Sequence, residues 1–251
     1  MQLTILGSGT LIPTPERGNS GYFLQTDNQT ILIDGGSGTL RQISRFGLNY
    51  REIDMICYTH LHPDHTFDLI PLLFAYKHDS ELQMPKNLKM ICPVGFQNYF
   101  DRLMNIYADW LMSEEVNIEI HEIERGNIDL DGLTIQCRHT EHTDHSVTYR
   151  FIDSTNKNLF YSGDTDMCEE LIESAKDVDV LLLECSFPDT MKRNGHLTPS
   201  LCGEIAAETN CKKLVLTHFY PEVLKTDIIS AVNTVYNGDV ILAEDGLIIK
   251  I

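Results

Sequence analysis

Thr59-His60-Leu61-His62-Pro63-Asp64-His65 gathers three imidazoles and a carboxylate into one short stretch. The apolar run Asp54–Tyr58 before it reads as a buried strand. Thr66–Ala75 after it reads as a helix with a kink at Pro71. The cluster therefore sits between a strand's C-terminal end and a helix's N-terminus, where α/β proteins place their chemistry. Imidazole nitrogen and carboxylate oxygen suit zinc, manganese or iron. Packing offers no reason for such a density of imidazoles, so a metal site is expected here.

Outward from that loop, strand and helix patterns alternate along the chain. Strands are expected at 2–6, Tyr22–Thr26, Thr30–Asp34, Leu88–Cys92, Thr134–Cys137, Val147–Ile152, Leu159–Ser162, Val178–Glu184 and Lys213–Thr217. Asp27-Asn28 suits a hairpin turn, and Asp239–Ala243 with Leu247–Ile251 is expected to frame another at Asp245-Gly246. Helices are expected around Leu40–Phe46, from Phe96 to Leu111, at Ser200–Thr209 and at Val223–Val235. The apolar stripe from Phe96 to Leu111 reads as core, with a wall over the site as the alternative. No linker or low-complexity segment interrupts this run. The expectation is one layered α/β domain, residues 1–251, with two central sheets.

The bulk properties narrow the class. Across 251 residues, 37 acids face 19 bases, a formal charge of −18. That argues against a broad electrostatic footprint for nucleic acid and for a solvated acidic surface. Seven scattered cysteines form no C-x-x-C pair, as in a reduced intracellular protein. The N-terminus lacks a signal peptide's basic region, and no apolar run approaches the roughly 18–20 residues of a membrane span. A cytoplasmic location with no membrane partner is expected. Gly7-Ser8-Gly9 does not complete a phosphate-binding pattern.

Further acids and imidazoles fall at strand ends. They are the turn 139–145, with His139, His142 and His145, then Asp164 and His218. Strand ends on one sheet edge can converge, and one histidine of that turn, Asp164 and His218 together with His60, His62, Asp64 and His65 provide seven donors, enough for two metals sharing one carboxylate. Asp34, beside glycines at a strand end, is either a cap or an acid orienting a ligand His. His78 and His121 have no neighbours at ligand spacing and read as surface or packing residues.

These residues resemble the metallo-β-lactamase superfamily over nearly the whole chain. The matching features are H-x-H-x-D-H at 60–65, Gly163-Asp164-Thr165, Thr217-His218-Phe219 and the closing Ala243-Glu244-Asp245-Gly246. The resemblance implies an αββα sandwich of two mixed sheets covered by helices. It implies one metal on His60, His62 and a His of the third motif, a second on Asp64, His65 and His218, and Asp164 bridging them. The pattern H-x-x-x-S-x-x-Y-R, here His142 to Arg150, selects His142 with His145 next. His139 falls within the preceding strand.

The nearest branch is tRNase Z and the small phosphodiesterases around it. The shared features include Arg17-Gly18-Asn19-Ser20, Tyr149-Arg150, Glu184-Cys185-Ser186-Phe187 and His196-Leu197-Thr198. Carried over, Glu184 orients His196, which protonates the leaving oxygen; Asp64 joins them as a catalytic residue. Two departures count against tRNase Z itself. Arg150–Gly163 leaves no room for the arm that grips tRNA, and Phe219-Tyr220-Pro221 replaces that family's Ser and Arg-Tyr pattern.

The expected function is a dinuclear, zinc-dependent hydrolase of a small phosphodiester, cyclic ones included, acting through a metal-bridging hydroxide. Manganese or iron are the other metals the donors allow, and a homodimer is compatible with the sequence. The competing readings are a tRNase Z-type endoribonuclease acting on tRNA, a lactone or thioester hydrolase, and a metal-binding or sensing protein without activity.

Overall fold

The strands of this chain read apolar at consecutive positions because their sheets are buried on both faces. In Val180–Glu184, Val180 and Leu182 enter one hydrophobic core while Leu181 and Leu183 enter another, the two-residue period of a pleated strand. A computed structural model describes residues 1–251 and arranges fourteen strands in two sheets of seven.

The first sheet takes β1 (Gln2–Gly7), β2 (Gly21–Gln25), β3 (Thr30–Ile33), β4 (Met55–Cys57), β5 (Lys86–Cys92) and β6 (Val116–Glu122). The second takes β7 (Gly126–Leu130), β8 (Leu133–His139), β9 (Val147–Asp153), β10 (Asn158–Tyr161), β11 (Val180–Glu184), β12 (Lys213–Thr217) and β13 (Asp239–Leu242). The last strand, β14 (Ile248–Lys250), returns to the first sheet beside β1. Each sheet runs through antiparallel pairings on one side and parallel pairings on the other, β3 to β6 in the first and β10 to β13 in the second.

Leu3, Ile5, Tyr22, Ile33 and Cys57 from the first sheet meet Ile135, Tyr149, Phe151, Leu182 and Val215 from the second in a central core. The outer face of the first sheet is covered by α1 (Thr39–Arg45), then, after the short α2 (Pro63–Thr66), by α3 (Leu69–His78) and α4 (Phe96–Leu111). The second is covered by α5 (Glu169–Ser174), α6 (Pro199–Thr209) and α7 (Ile228–Val232). This is the four-layer αββα sandwich. No helix is long and apolar enough to cross a membrane. All seven cysteines are free, and every one but Cys168 is buried.

Four expectations are corrected. The stretch 63–78 is two helices rather than one kinked at Pro71, because the chain is pinned at Asp68. Its carboxylate accepts from Gly38 N at 2.9 Å and Leu40 N at 2.6 Å, while its own N–H donates to Gly35 O. Pro71 falls in the first turn of α3, where its missing N–H costs nothing. The expected helix 223–235 is a single 3₁₀ turn followed by α7, restarted where Asp227 caps Ser230 N at 3.1 Å. In α4, Phe96, Phe100 and Leu111 are core, but Ile106 and Trp110 are 68% and 64% exposed.

The fourth correction concerns Asp245. β13 and β14 lie in different sheets, so Asp245-Gly246 is a crossing between layers and not a hairpin turn. The Asp245 carboxylate accepts from Ser8 N, Ser8 Oγ, Gly18 N and Gln42 Nε2 at 2.7–2.9 Å, tying the crossing to the β1–β2 loop and α1. Asp245→Ala strands these donors. It is expected to cost about 2–3 kcal/mol, read as a lower urea midpoint at unchanged slope.

Candidate metal centre

Parallel strands bring their C-terminal ends to one edge of each sheet, and the site lies there. Asp34 follows β3, the 59–65 loop follows β4, Asp164 follows β10, Glu184 ends β11 and His218 follows β12. His142 comes from the turn between β8 and β9. Asp34 and His218 hold left-handed backbone conformations, φ 52° and 57°. That is uncommon for histidine and typical of positions whose side chain must be aimed.

The donors form two groups. In one, His60 Nε2 and His142 Nε2 each lie 3.1 Å from His62 Nδ1, and 3.8 and 3.7 Å from Asp164 Oδ2. In the other, His218 Nε2 lies 3.4 Å from His65 Nε2 and 3.4 Å from Asp64 Oδ2. Asp164 Oδ1 lies 3.4 Å from both of those imidazoles. The two oxygens of Asp164 thus face different groups. Of the three third-motif histidines, the structure brings only His142 to the cluster; His145 is exposed and His139 ends β8. His78 packs on Phe74, and His121 pairs with Glu119 at 2.6 Å, both away from the centre.

Outer partners set the tautomers. His60 Nδ1 meets Thr59 Oγ1 at 3.1 Å, His65 Nδ1 meets Asp34 Oδ2 at 2.8 Å, His142 Nδ1 meets Gly195 O at 2.8 Å and His218 Nδ1 meets Ser186 Oγ at 3.0 Å. Each Nδ1–H donates outward, leaving an Nε2 lone pair aimed at the centre. Asp34 is therefore the orienting acid, with its carboxylate also accepting from Thr59 N, Thr59 Oγ1 and Tyr161 OH. Ser186 and Gly195 were not singled out from the sequence as orienting groups, although Ser186 lies inside Glu184-Cys185-Ser186-Phe187. Gly195 carries no chemical signal at all, because it acts through its carbonyl.

The donor set fits divalent metal. Asp164 Oδ1 is buried and makes no hydrogen bond, an expensive state for a carboxylate oxygen unless a cation meets it. Burial and the neighbouring imidazole of His65 push His60 well below its usual range, toward the neutral form that ligates metal.

Beside this centre, His196 Nδ1 lies 3.0 Å from Glu184 Oε1 and 3.9 Å from Asp164 Oδ2. Glu184 is fully buried; Oε1 also accepts from Thr165 N at 2.8 Å, and Oε2 accepts from Ser186 Oγ. Burial pulls the His196 pKa down, but the Glu184 carboxylate outweighs it and holds His196 up at about 9. The arrangement can therefore present a protonated imidazole to a group lying on the metal donors.

Residues 29–219 match the beta-lactamase superfamily domain. Ribonuclease Z of Thermobifida fusca (strain YX) is 24% identical, over 97% of this chain and 92% of its own length. Among solved structures, the metallo-beta-lactamase fold protein YhfI of Bacillus subtilis superposes with a TM-score of 0.85 at 23% identity, covering 99% of this chain and 98% of its own. The short form of human tRNase Z superposes with a TM-score of 0.80 at 24% identity, covering 100% of this chain and 99% of its own. At these identities the structural likenesses speak for the fold.

Proposed function

The chain belongs to the metallo-β-lactamase superfamily of metal-dependent hydrolases, and from that premise we propose a dinuclear phosphodiesterase acting on a small phosphodiester, cyclic ones included. The observation that carries the reading is Asp164, whose two oxygens face two separate donor groups. His60, His62 and His142 would hold one cation, Asp64, His65 and His218 the other, and Asp164 both. The histidine-rich donor set favours zinc, with manganese and iron also compatible. Bound there, divalent cations supply charge neutralisation for a phosphoryl group and lower the pKa of water.

The chain's own residues would do the rest. Glu184, clamped by Thr165 N and Ser186 Oγ, holds His196 by Nδ1 and leaves Nε2–H to give its proton to the leaving oxygen. Before the transfer the carboxylate stabilises the imidazolium, and after it the neutral imidazole keeps its Nδ1–H on Glu184. A small diester is favoured over tRNA by the −18 charge and by β9 and β10 meeting through a tight turn with no arm. The free cysteines, six of the seven buried, favour a reducing compartment, the cytoplasm, and the core shared by both sheets favours the 1–251 stretch as one hydrolase domain.

A panel on metal-quantified protein tests the reading, using bis-p-nitrophenyl phosphate, 2′,3′- and 3′,5′-cyclic nucleotides, a lactone, a thioester and pre-tRNA. Turnover of small diesters with none of the carbonyl esters is the expected result. Trailer cleavage of pre-tRNA without small-diester turnover would move the protein to the ribonuclease Z reading, which the Thermobifida relative favours. Metal-loaded protein inert to the whole panel would point to sensing or storage.

Asp34→Asn tests the support of the second donor group. It keeps the shape and the tolerance for φ 52° but removes the charge that His65 Nδ1–H donates to. Chelator competition is expected to show metal affinity about 10–100-fold weaker. Unchanged affinity would sink the orienting role.

A further inference from the structure

Two stacked ring pairs cross beside the metal donors. His196 and His218 stack at 6.0 Å with planes 11° apart, and Phe187 and Tyr220 stack at 4.4 Å with planes 24° apart. The pairs stand nearly perpendicular, with Tyr220 6.2 Å from His196 at 73° and 5.9 Å from His218 at 76°. Packing does not account for the second pair. Phe219, between His218 and Tyr220, turns into the core under the second sheet, whereas Phe187 and Tyr220 belong to no core cluster and stay partly exposed.

The Arg193 guanidinium lies over Phe187 at 5.9 Å. Phe187 thus carries both Arg193 and Tyr220, and Tyr220 is also within 6.2 Å of His196 and 5.9 Å of His218. Lys192, next to Arg193, is tied to Asp166 at 2.7 Å, whereas Arg193 pairs with no carboxylate. A chain this acidic thus keeps an unpaired cation on Phe187 and an aromatic ring, Tyr220, against the donor His218.

We propose that Tyr220, backed by Phe187, is a specificity-determining shelf that takes the flat ring of a nucleobase while the attached phosphate lies on the metal donors. The inference rests on the phosphodiesterase reading and narrows its substrates to nucleotides. Base–aromatic stacking tolerates any base, because every base has a π-face. Alkyl diesters and lactones have nothing to place there.

Calorimetric titration of the metal-loaded protein with AMP and with ribose 5-phosphate tests it, since the two ligands share the phosphate and differ by the base. AMP is expected to bind about tenfold tighter or more. Tyr220→Leu should bring the ratio close to one, and Tyr220→Phe should keep it. A ratio near one in the wild type, or one that Tyr220→Leu leaves unchanged, overturns the proposal. If Tyr220→Leu does not fold, the wild-type ratio and Phe187→Leu decide it. A protein that prefers AMP yet hydrolyses no diester keeps the shelf and loses the phosphodiesterase reading. One that hydrolyses diesters with a ratio near one loses the shelf alone.

Discussion

Asp164→Asn is expected to give a folded protein that has lost hydrolytic turnover by on the order of 10³-fold or more, well beyond the ~10–100-fold that an outer partner costs in metal affinity or activity. The reasoning starts from what the residue does without metal. A fully buried carboxylate with one oxygen lacking any hydrogen bond contributes little to folding. An isosteric amide should therefore leave the urea midpoint near the wild-type value. Its effect falls on the centre, because no other side chain faces both donor groups. Metal analysis should find less than the full complement, and added metal should restore turnover only in part. A variant with full metal content and a rate within tenfold of wild type would rule out the bridging role.

His196→Ala is the second large effect, and it should separate substrates. The variant keeps every metal donor, so metal content is expected to stay at wild-type level. Turnover of a diester with an alkyl leaving group should fall by about 10²–10⁴-fold. Turnover of a p-nitrophenyl diester, whose leaving oxygen needs no proton, should change by less than about tenfold. The pH profile gives a second reading. His196 must be protonated to donate, so its contribution is present at low pH and lost as pH rises through its pKa, held at about 9 by Glu184 against the opposing effect of burial. Cations in the donor groups would push that value down. The alkyl substrate should therefore show a basic limb at or below about pH 9 that the p-nitrophenyl substrate lacks. Equal losses on both substrates would rule out the general-acid role.

Much of the site was legible because its donors are chemically conspicuous and because parallel strands end on a common edge. His60, His62, Asp64, His65, Asp164 and His218 each follow an apolar run, and the folded chain brings them together with His142. The illegible parts have physical causes. β6 and β7 are largely exposed strands in which single apolar residues alternate with polar ones, a weaker signal than the continuous apolar runs of the buried strands. The break before α3 depends on Asp68 bonding to backbone some thirty residues earlier, which no local pattern reports. Asp245-Gly246 is a good hairpin turn locally, and only the pairing of β14 with β1 shows that it joins two sheets. Asp34 was ambiguous between cap and orienting acid because both uses want a short carboxylate beside glycine. His65 and Thr59, folded against it, decide the matter.

The strand β14 carries one more consequence. It completes the first sheet after the whole second sheet has been laid down in the chain, so the second sheet, β7 to β13, is one contiguous segment whereas the first cannot be finished by one. Such long-range pairing is slow, because the intervening loop must be closed before its contacts reward the closure. The donors obey the same order: His60 to His65 come from the first sheet, and His142, Asp164 and His218 from the second. A full grip on metal has to wait until the layers have met. Metal capture would then be a late event in folding, and its rate would time the meeting of the sheets.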